Sequence, residues 1–350
     1  MNAPHTAPDP KEIRAIFEEV VANLDRLSIE EIRDRLHALM DGMVVTSPML
    51  SPGTFLYRAR KLDATFNKAA GIKLADLSYP PKERTRVGRL NRDGDPMFYC
   101  SVGKESLFFE IPNLQAGDEI VISIWKVKHE GYLNSIGYTS SVFDRLGAKR
   151  ECPTWKRKDD NAKAEVTVPT LPSGEVTKLL ERDESATLRE LMSEYFSRHV
   201  DETNAMLYKL TTAIAELHYK AGIDGNERFA GVTYPSIRMW ANADNIALAP
   251  WYVDDNLEFR KAIHLRIDKR DEQRFSFTSL DCARHVAADG NLNWLGRPLN
   301  WTMSVGPGRT LQCTATSGPD EDGDYESSKE GTPIHWVIVV TETGEVITAN

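Results

Sequence analysis

The chain lacks a cysteine framework. Its four cysteines, Cys100, Cys152, Cys282 and Cys313, stand far apart in 350 residues and form no C-x-x-C pair. That excludes a zinc ribbon or a disulfide scaffold and fits reduced thiols in a cytosol. No apolar run approaches the ~20 residues of a membrane span. The opening "MNAPHTAPDP" is Pro-rich and lacks the apolar segment of a signal peptide. Basic residues are not in excess: the formal net charge is −9, which disfavours a non-specific nucleic-acid binder. "GPGRT" lacks the Gly-Lys-Ser/Thr of a phosphate-binding loop, and "DEDGD" (320–324) lacks the spacing of a calcium loop. Cys282 and His285 stand three apart with no second Cys/His pair nearby, so no metal site is expected. No internal repeat is present. These absences lead to the expectation of a cytoplasmic protein without a membrane partner.

Hydrophobic periodicity is what the chain does have. Ile13, Ile16, Phe17, Val20 and Leu24 recur at helical spacing, and Ile29, Ile32, Leu36 and Leu39 repeat the pattern after a Ser28/Glu31 capping box. A helical hairpin is therefore expected ahead of the main domain. "TSPMLSPG" reads as a linker by its Ser, Pro and Gly content. "TFLYRAR", "EIVISIWKVK", "AGVTYPSIRM", "NIALAPWYV" and "KAIHLRID" read as strands. Residues 129–183 read as an irregular elaboration. "LRELMSEYFSRHVDETNAMLYKLTTAIAELHYKAG" reads as one long helix or two shorter ones, stopping at Gly222. "TSLDCARHVA" reads as a helix, and "IHWVIVVTETGEVITAN" as a closing hairpin through Thr343-Gly344.

One stretch concentrates chemistry. In "VGRLNRDGDPMFYCSVGKESLFFEI" (87–111) the "RDGD" turn separates two short runs. If the runs pair as strands, Arg89 and Tyr99 face one pocket, and Glu110 follows eleven residues after Tyr99 through a short helical turn. An arginine, an aromatic ring and a carboxylate suit a ligand with an anionic part, a flat ring and a carbon that turns cationic during reaction.

The ordered set Tyr57-Arg58, Gly88-Arg89, Asn91, Gly94, Tyr99 and Glu110 resembles the RES domain family. "GVTYPSIRMWANADNIALAP", with Ser236 and Asn245, resembles that family's later Ser-bearing strand, and "IHLRID" its closing strand. The likeness spans roughly residues 54–268. It implies an α+β fold: an ADP-ribosyltransferase-like split β-sandwich with flanking helices, here with an N-terminal hairpin and a C-terminal extension. The implied domains are 1–46 (tail and hairpin), 47–270 (NAD-binding catalytic domain, elaborated at about 129–205) and 271–350 (extension).

The resemblance implies NAD as substrate with no separate cofactor. It further implies a glycohydrolase or phosphorylase of the nicotinamide-ribose bond, of bacterial toxin or defence type, restrained by a cognate antitoxin. Arg89, Tyr99, Glu110 and Ser236 would be its catalytic residues; Arg58, Gly88, Asn91, Tyr234 and Asn245 would bind the substrate. Leu90, where the family often has an aromatic, and Cys100-Ser101 depart from the pattern and bear on substrate preference.

Two alternatives stand beside this. One is ADP-ribosylation of a protein or other macromolecule. The other is a catalytically degenerate interaction module whose hairpin at 11–40 carries docking or homo-oligomer contacts; packing of the hairpin's stripes against its own domain is an equal alternative. Taken singly, each residue also has an ordinary structural explanation. Arg58 and Arg89 could be ion-paired, Tyr99 a core tyrosine, Glu110 a solvated helix-face charge and Ser236 a turn cap.

Overall fold

The computed structural model describes residues 9–40, 42–148, 163–167, 182–201, 203–220, 229–270, 274–296, 299–300, 303–304, 310–311, 325–326, 334–340 and 346–349. Helix α1 (Pro10–Ala22) begins at Asp9, whose carboxylate accepts from the N–H groups of Lys11 and Glu12 at 2.8 and 2.9 Å. Pro10 fills the first helical position, where its missing N–H costs nothing. Helix α2 (Ile29–Met40) opens on the expected capping box: Glu31 N–H donates to Ser28 Oγ at 3.1 Å and Ser28 N–H to the Glu31 carboxylate at 2.8 Å.

In chain order there follow β1 (Val44–Leu50), β2 (Phe55–Lys61), α3 (Leu74–Leu77), a 3-10 turn at Lys82–Arg84, β3 (Phe98–Ser101), α4 (Glu105–Glu110) and β4 (Glu119–Val127). Then come β5 (Gly131–Ser135), α5 (Ser140–Leu146), β6 (Lys163–Thr167), α6 (Arg182–Phe196), α7 (Leu207–Tyr219), β7 (Gly231–Pro235), β8 (Asp244–Leu248) and α8 (Pro250–Asn256). The last part holds β9 (Leu257–Arg270), β10 (Arg274–Val286), β11 (Leu292–Trp294), and the two-residue strands β12 (Leu299–Asn300), β13 (Met303–Ser304), β14 (Thr310–Leu311) and β15 (Tyr325–Glu326). It closes with β16 (Ile334–Val340) and β17 (Val346–Ala349). The class is α+β. No helix among the described residues is long and apolar enough to cross a membrane.

Several expectations change. "TSPMLSPG" is not a linker: its first half completes β1, which pairs antiparallel with β6 through Val44–Pro48 and with β5 at Met49 and Leu50. "TSLDCARHVA" is not a helix but part of β10, held between β9 and β16. Cys282 is buried and His285 exposed there, with a register shift of the β10–β11 pairing between Ala283 and His285. Trp251 and Val253 belong to α8 and not to a strand. Within residues 129–183 the structure forms β5, α5 and β6. The long helical pattern is two helices, α6 and α7. The stop at Gly222, the turn at Thr343-Gly344, the "DEDGD" loop, Cys152 and Cys313 lie outside the described residues.

The chain divides into two compact units interleaved in sequence, and the expected cuts at 46 and 270 do not coincide with them. Unit one comprises residues 1–51, 80–98 and 129–256; unit two comprises 52–79, 99–128 and 257–350. In unit one the strand order is β6-β1-β5-β7-β8, antiparallel except for the parallel β5–β7 pair. The hairpin packs into this unit, α1 on α6 and α2 on α7. Ile13, Phe17, Val20, Ile32 and Leu36 are fully buried. Lys209 of α7 donates to the carbonyls of Leu24 and Leu27, both at 3.0 Å, closing the turn between α1 and α2. The hairpin's apolar stripes are thus spent inside its own unit, the packing-in-cis alternative and not the separate docking element.

In unit two the order is β3-β2-β4-β9-β10-β16-β17, with β11 beside β10, and every pairing is antiparallel. Ile120, Val121 and Ile122 of β4 are all fully buried, so this central strand has no solvent face. Helix α4 lays Phe108 on Phe277 of β10, rings 4.8 Å apart and nearly parallel.

Candidate functional site

The nine residues singled out from the sequence fall in both units. Gly88, Arg89, Asn91, Tyr234, Ser236 and Asn245 belong to unit one; Arg58, Tyr99 and Glu110 belong to unit two.

In unit one, residues 86–97 form no strand, so Arg89 and Tyr99 do not sit on a paired hairpin as expected. The "RDGD" turn is present, with Gly94 at φ 74° and its N–H on Thr85 O at 3.1 Å. The rest of the segment is tied up by its own side chains. Asn91 is buried and its amide donates to the carbonyls of Arg86 and Arg92, both at 2.8 Å. Gly88 N–H returns to Asn91 O at 3.0 Å, and Thr212 Oγ1 of α7 donates to Gly88 O at 3.0 Å. Arg89 donates through its guanidinium to Phe196 O and, at 3.1 Å, to Arg198 O. These carbonyls lie at and just beyond the end of α6, where a cation complements the helix dipole. Arg92 grips Glu216 of α7 with two bonds of 2.5 and 2.6 Å and also pairs with Glu30. The loop therefore braces α6 and α7.

Ser236 opens the turn between β7 and β8. Its Oγ accepts from Met239 N–H at 3.2 Å, an N-cap bond. At the other end Ala241 N–H reaches Ser236 O at 2.8 Å and Trp240 N–H reaches Ile237 O at 3.1 Å. This is the Schellman pattern, with Trp240 at φ 49° in the slot that glycine usually fills. Tyr234 on β7 is the registered partner of Asn245 on β8, and its ring meets Phe196 edge-on at 5.6 Å.

In unit two, Arg58 of β2 donates to Tyr99 O in β3 at 2.9 Å. Burial pulls the Arg58 pKa down to about 10, aided by Arg60 and opposed by Cys100 and Tyr99. It remains a cation at neutral pH. The neighbouring Cys100 thiol is pushed well up by burial and is not a thiolate nucleophile. After β3, Ser101 Oγ accepts from Gly103 N–H at 3.1 Å and from Ser106 Oγ at 2.6 Å, fixing the turn into α4. Lys104 sits 5.3 Å from the Tyr57 ring centroid. Glu110 is half-buried and ends α4. That is the end of a helix where an anion gains nothing from the dipole.

Two buried histidines lie outside the nine candidates. His218 Nδ1 meets Ile214 O at 2.8 Å, and burial lowers its pKa to about 4. His264 Nε2 meets the Glu119 carboxylate at 2.7 Å. The Arg92–Glu216 brace was missed because its partners lie 124 positions apart in the chain. Protein-family models, curated protein sequences and solved structures were all compared with the chain, and none matches.

Proposed function

We propose that the chain cleaves the nicotinamide–ribose bond of NAD, as a cytoplasmic glycohydrolase or phosphorylase of toxin or defence type, within an ADP-ribosyltransferase-like fold. The observation that carries this reading is the segment of unit two in which Arg58 is bonded to Tyr99 O and the chain runs on through α4 to Glu110. Arg58 supplies a fixed positive charge for the pyrophosphate, and Tyr99 a flat surface for the ring. The Glu110 carboxylate stabilises the ribose carbon as the bond breaks and nicotinamide leaves with the bonding electrons. Water or phosphate then attacks that carbon; attack by a side chain of another macromolecule would be ADP-ribosylation. An active enzyme of this kind calls for a restraining partner protein.

A second reading, an interaction module without catalysis, is favoured by a different observation. Arg89, Asn91 and Ser236 all make hydrogen bonds within unit one.

Incubation of the purified chain with NAD decides between them. The enzyme reading expects nicotinamide release, falling ~10²–10³-fold in Glu110→Gln with the melting temperature unchanged. Undiminished NAD with the wild-type chain overturns the reading, and an equally active Glu110→Gln removes Glu110 from the chemistry.

A further inference from the structure

Unit one contains a pocket of about 290 Å³ lined by Asp95, Met97, Tyr219, Lys220, Ala249, Pro250 and Trp251. No residue assigned a role above lines it. Trp251 is 36% exposed and offers a flat apolar face, with Met97, Ala249 and Pro250 completing the apolar wall. Tyr219 is 8% exposed, and its hydroxyl has no hydrogen-bond partner among the described residues. Buried hydroxyls are nearly always matched, because leaving one unmatched is costly. Lys220 bonds Asp95 at 2.9 Å and Glu216 at 3.0 Å.

Four features define the occupant. The volume is at the small end of ligand sites, enough for a single heterocycle and too little for a dinucleotide. Trp251 requires a flat body. Burial, with the Asp95 and Glu216 carboxylates, holds the Tyr219 phenol protonated against the opposing Arg92, so its O–H is a donor that a ligand carbonyl oxygen matches. On the wall the Lys220 ammonium and the Asp95 carboxylate offset each other at 2.9 Å, which favours a neutral ligand, while Asp95 also accepts from a ligand N–H. We infer that this pocket binds a neutral, planar heterocyclic amide, of the nucleobase or pyridine-carboxamide class, with its carbonyl on the Tyr219 hydroxyl and its N–H toward Asp95.

The inference is independent of the NAD reading, since it concerns binding without turnover in a pocket that contains neither Arg58 nor Glu110. Calorimetric titration of the full chain with nicotinamide, and separately with uracil, tests it. Binding by either supports it and identifies the ring. Tyr219→Phe should weaken binding ~3–10-fold, the ratio that one neutral hydrogen bond contributes, and Trp251→Ala should weaken it further. In the same variant the free protein should melt at or above the wild-type temperature, because only an unmatched hydroxyl is removed. No binding of either ring at millimolar concentration overturns the proposal. So does a Tyr219→Phe protein that binds as tightly as wild type, or one that melts several degrees lower.

Discussion

Trp240 and Ala241 adopt φ values of 49° and 59° in succession. For residues with a Cβ this region costs ~1–2 kcal/mol each. Glycine at 240 removes that cost, so Trp240→Gly should raise stability by roughly 1 kcal/mol if the indole contributes little packing. Ser236→Ala removes the N-cap bond at the other end of the same turn and should lower stability by about 1 kcal/mol. Urea unfolding of the two variants checks both signs. A Ser236→Ala chain as stable as wild type would mean that the serine's hydroxyl does not serve the fold. Pro235-Ser236 allowed a turn cap to be read at Ser236, although the apolar residues after it made the stretch look like a strand. Arg89 was not legible in this way. Its acceptors, Phe196 O and Arg198 O, lie more than a hundred positions away, and nothing near Arg89 in the sequence announces them.

Among the elements, the hairpin and most of the strands could be read because each carries its own period of apolar residues. Strand β1 could not, because Ser47-Pro48 within it and Ser51-Pro52-Gly53 just after it mask it. It survives as a strand through β6, with β5 joining only at Met49 and Leu50, beyond the proline. The α7 brace was equally hidden, although it has the larger energetic consequence. Glu216 is 1% exposed and is held by Arg92 and Lys220, with Arg33 at 3.8 Å. Burial pushes its carboxyl pKa up, but the bonds to Arg92 and Lys220 outweigh this and leave it below the ordinary carboxylate value. A carboxyl depressed in the folded state stabilises the fold above its unfolded pKa, ~4.3, and loses that contribution as pH falls through the lower folded value. Melting should therefore drop below about pH 4. Glu216→Gln should cost ~1–3 kcal/mol at pH 7, because half-buried Arg92 loses a charged hydrogen-bond partner while the more exposed Lys220 and Arg33 fall back on water, and its stability should depend less on acid. Denaturant curves at pH 7 and at low pH measure both.

At the scale of the molecule, the hairpin is structural. Ile13, Phe17, Val20, Ile32 and Leu36 are fully buried in unit one, and at ~1.5–3 kcal/mol each they contribute about as much as the whole stability of an ordinary domain. Deleting residues 1–42 should leave a chain with no cooperative melting transition and a tendency to aggregate, as read by circular dichroism and light scattering. A truncated chain that melts cooperatively near the wild-type temperature would contradict the packing. The α+β class was legible from the mixture of periods, whereas the division into units was not. Units built from separated segments depend on pairings between distant strands, which local sequence does not encode.

The backbone passes between the two units five times, at 51/52, 79/80, 98/99, 128/129 and 256/257. During translation, therefore, neither unit can be completed before the other has begun. The hairpin ends at Met40 and must wait for α6, which starts at Arg182. At ~5–20 residues per second its apolar stripes leave the ribosome roughly 10–30 s before their partners do. Strand β4 likewise waits for β9, which begins at Leu257. The nascent chain thus carries uncovered apolar surface for most of its synthesis. Its yield in a cell should respond to the supply of ribosome-associated chaperones more steeply than the stability of the finished protein would suggest.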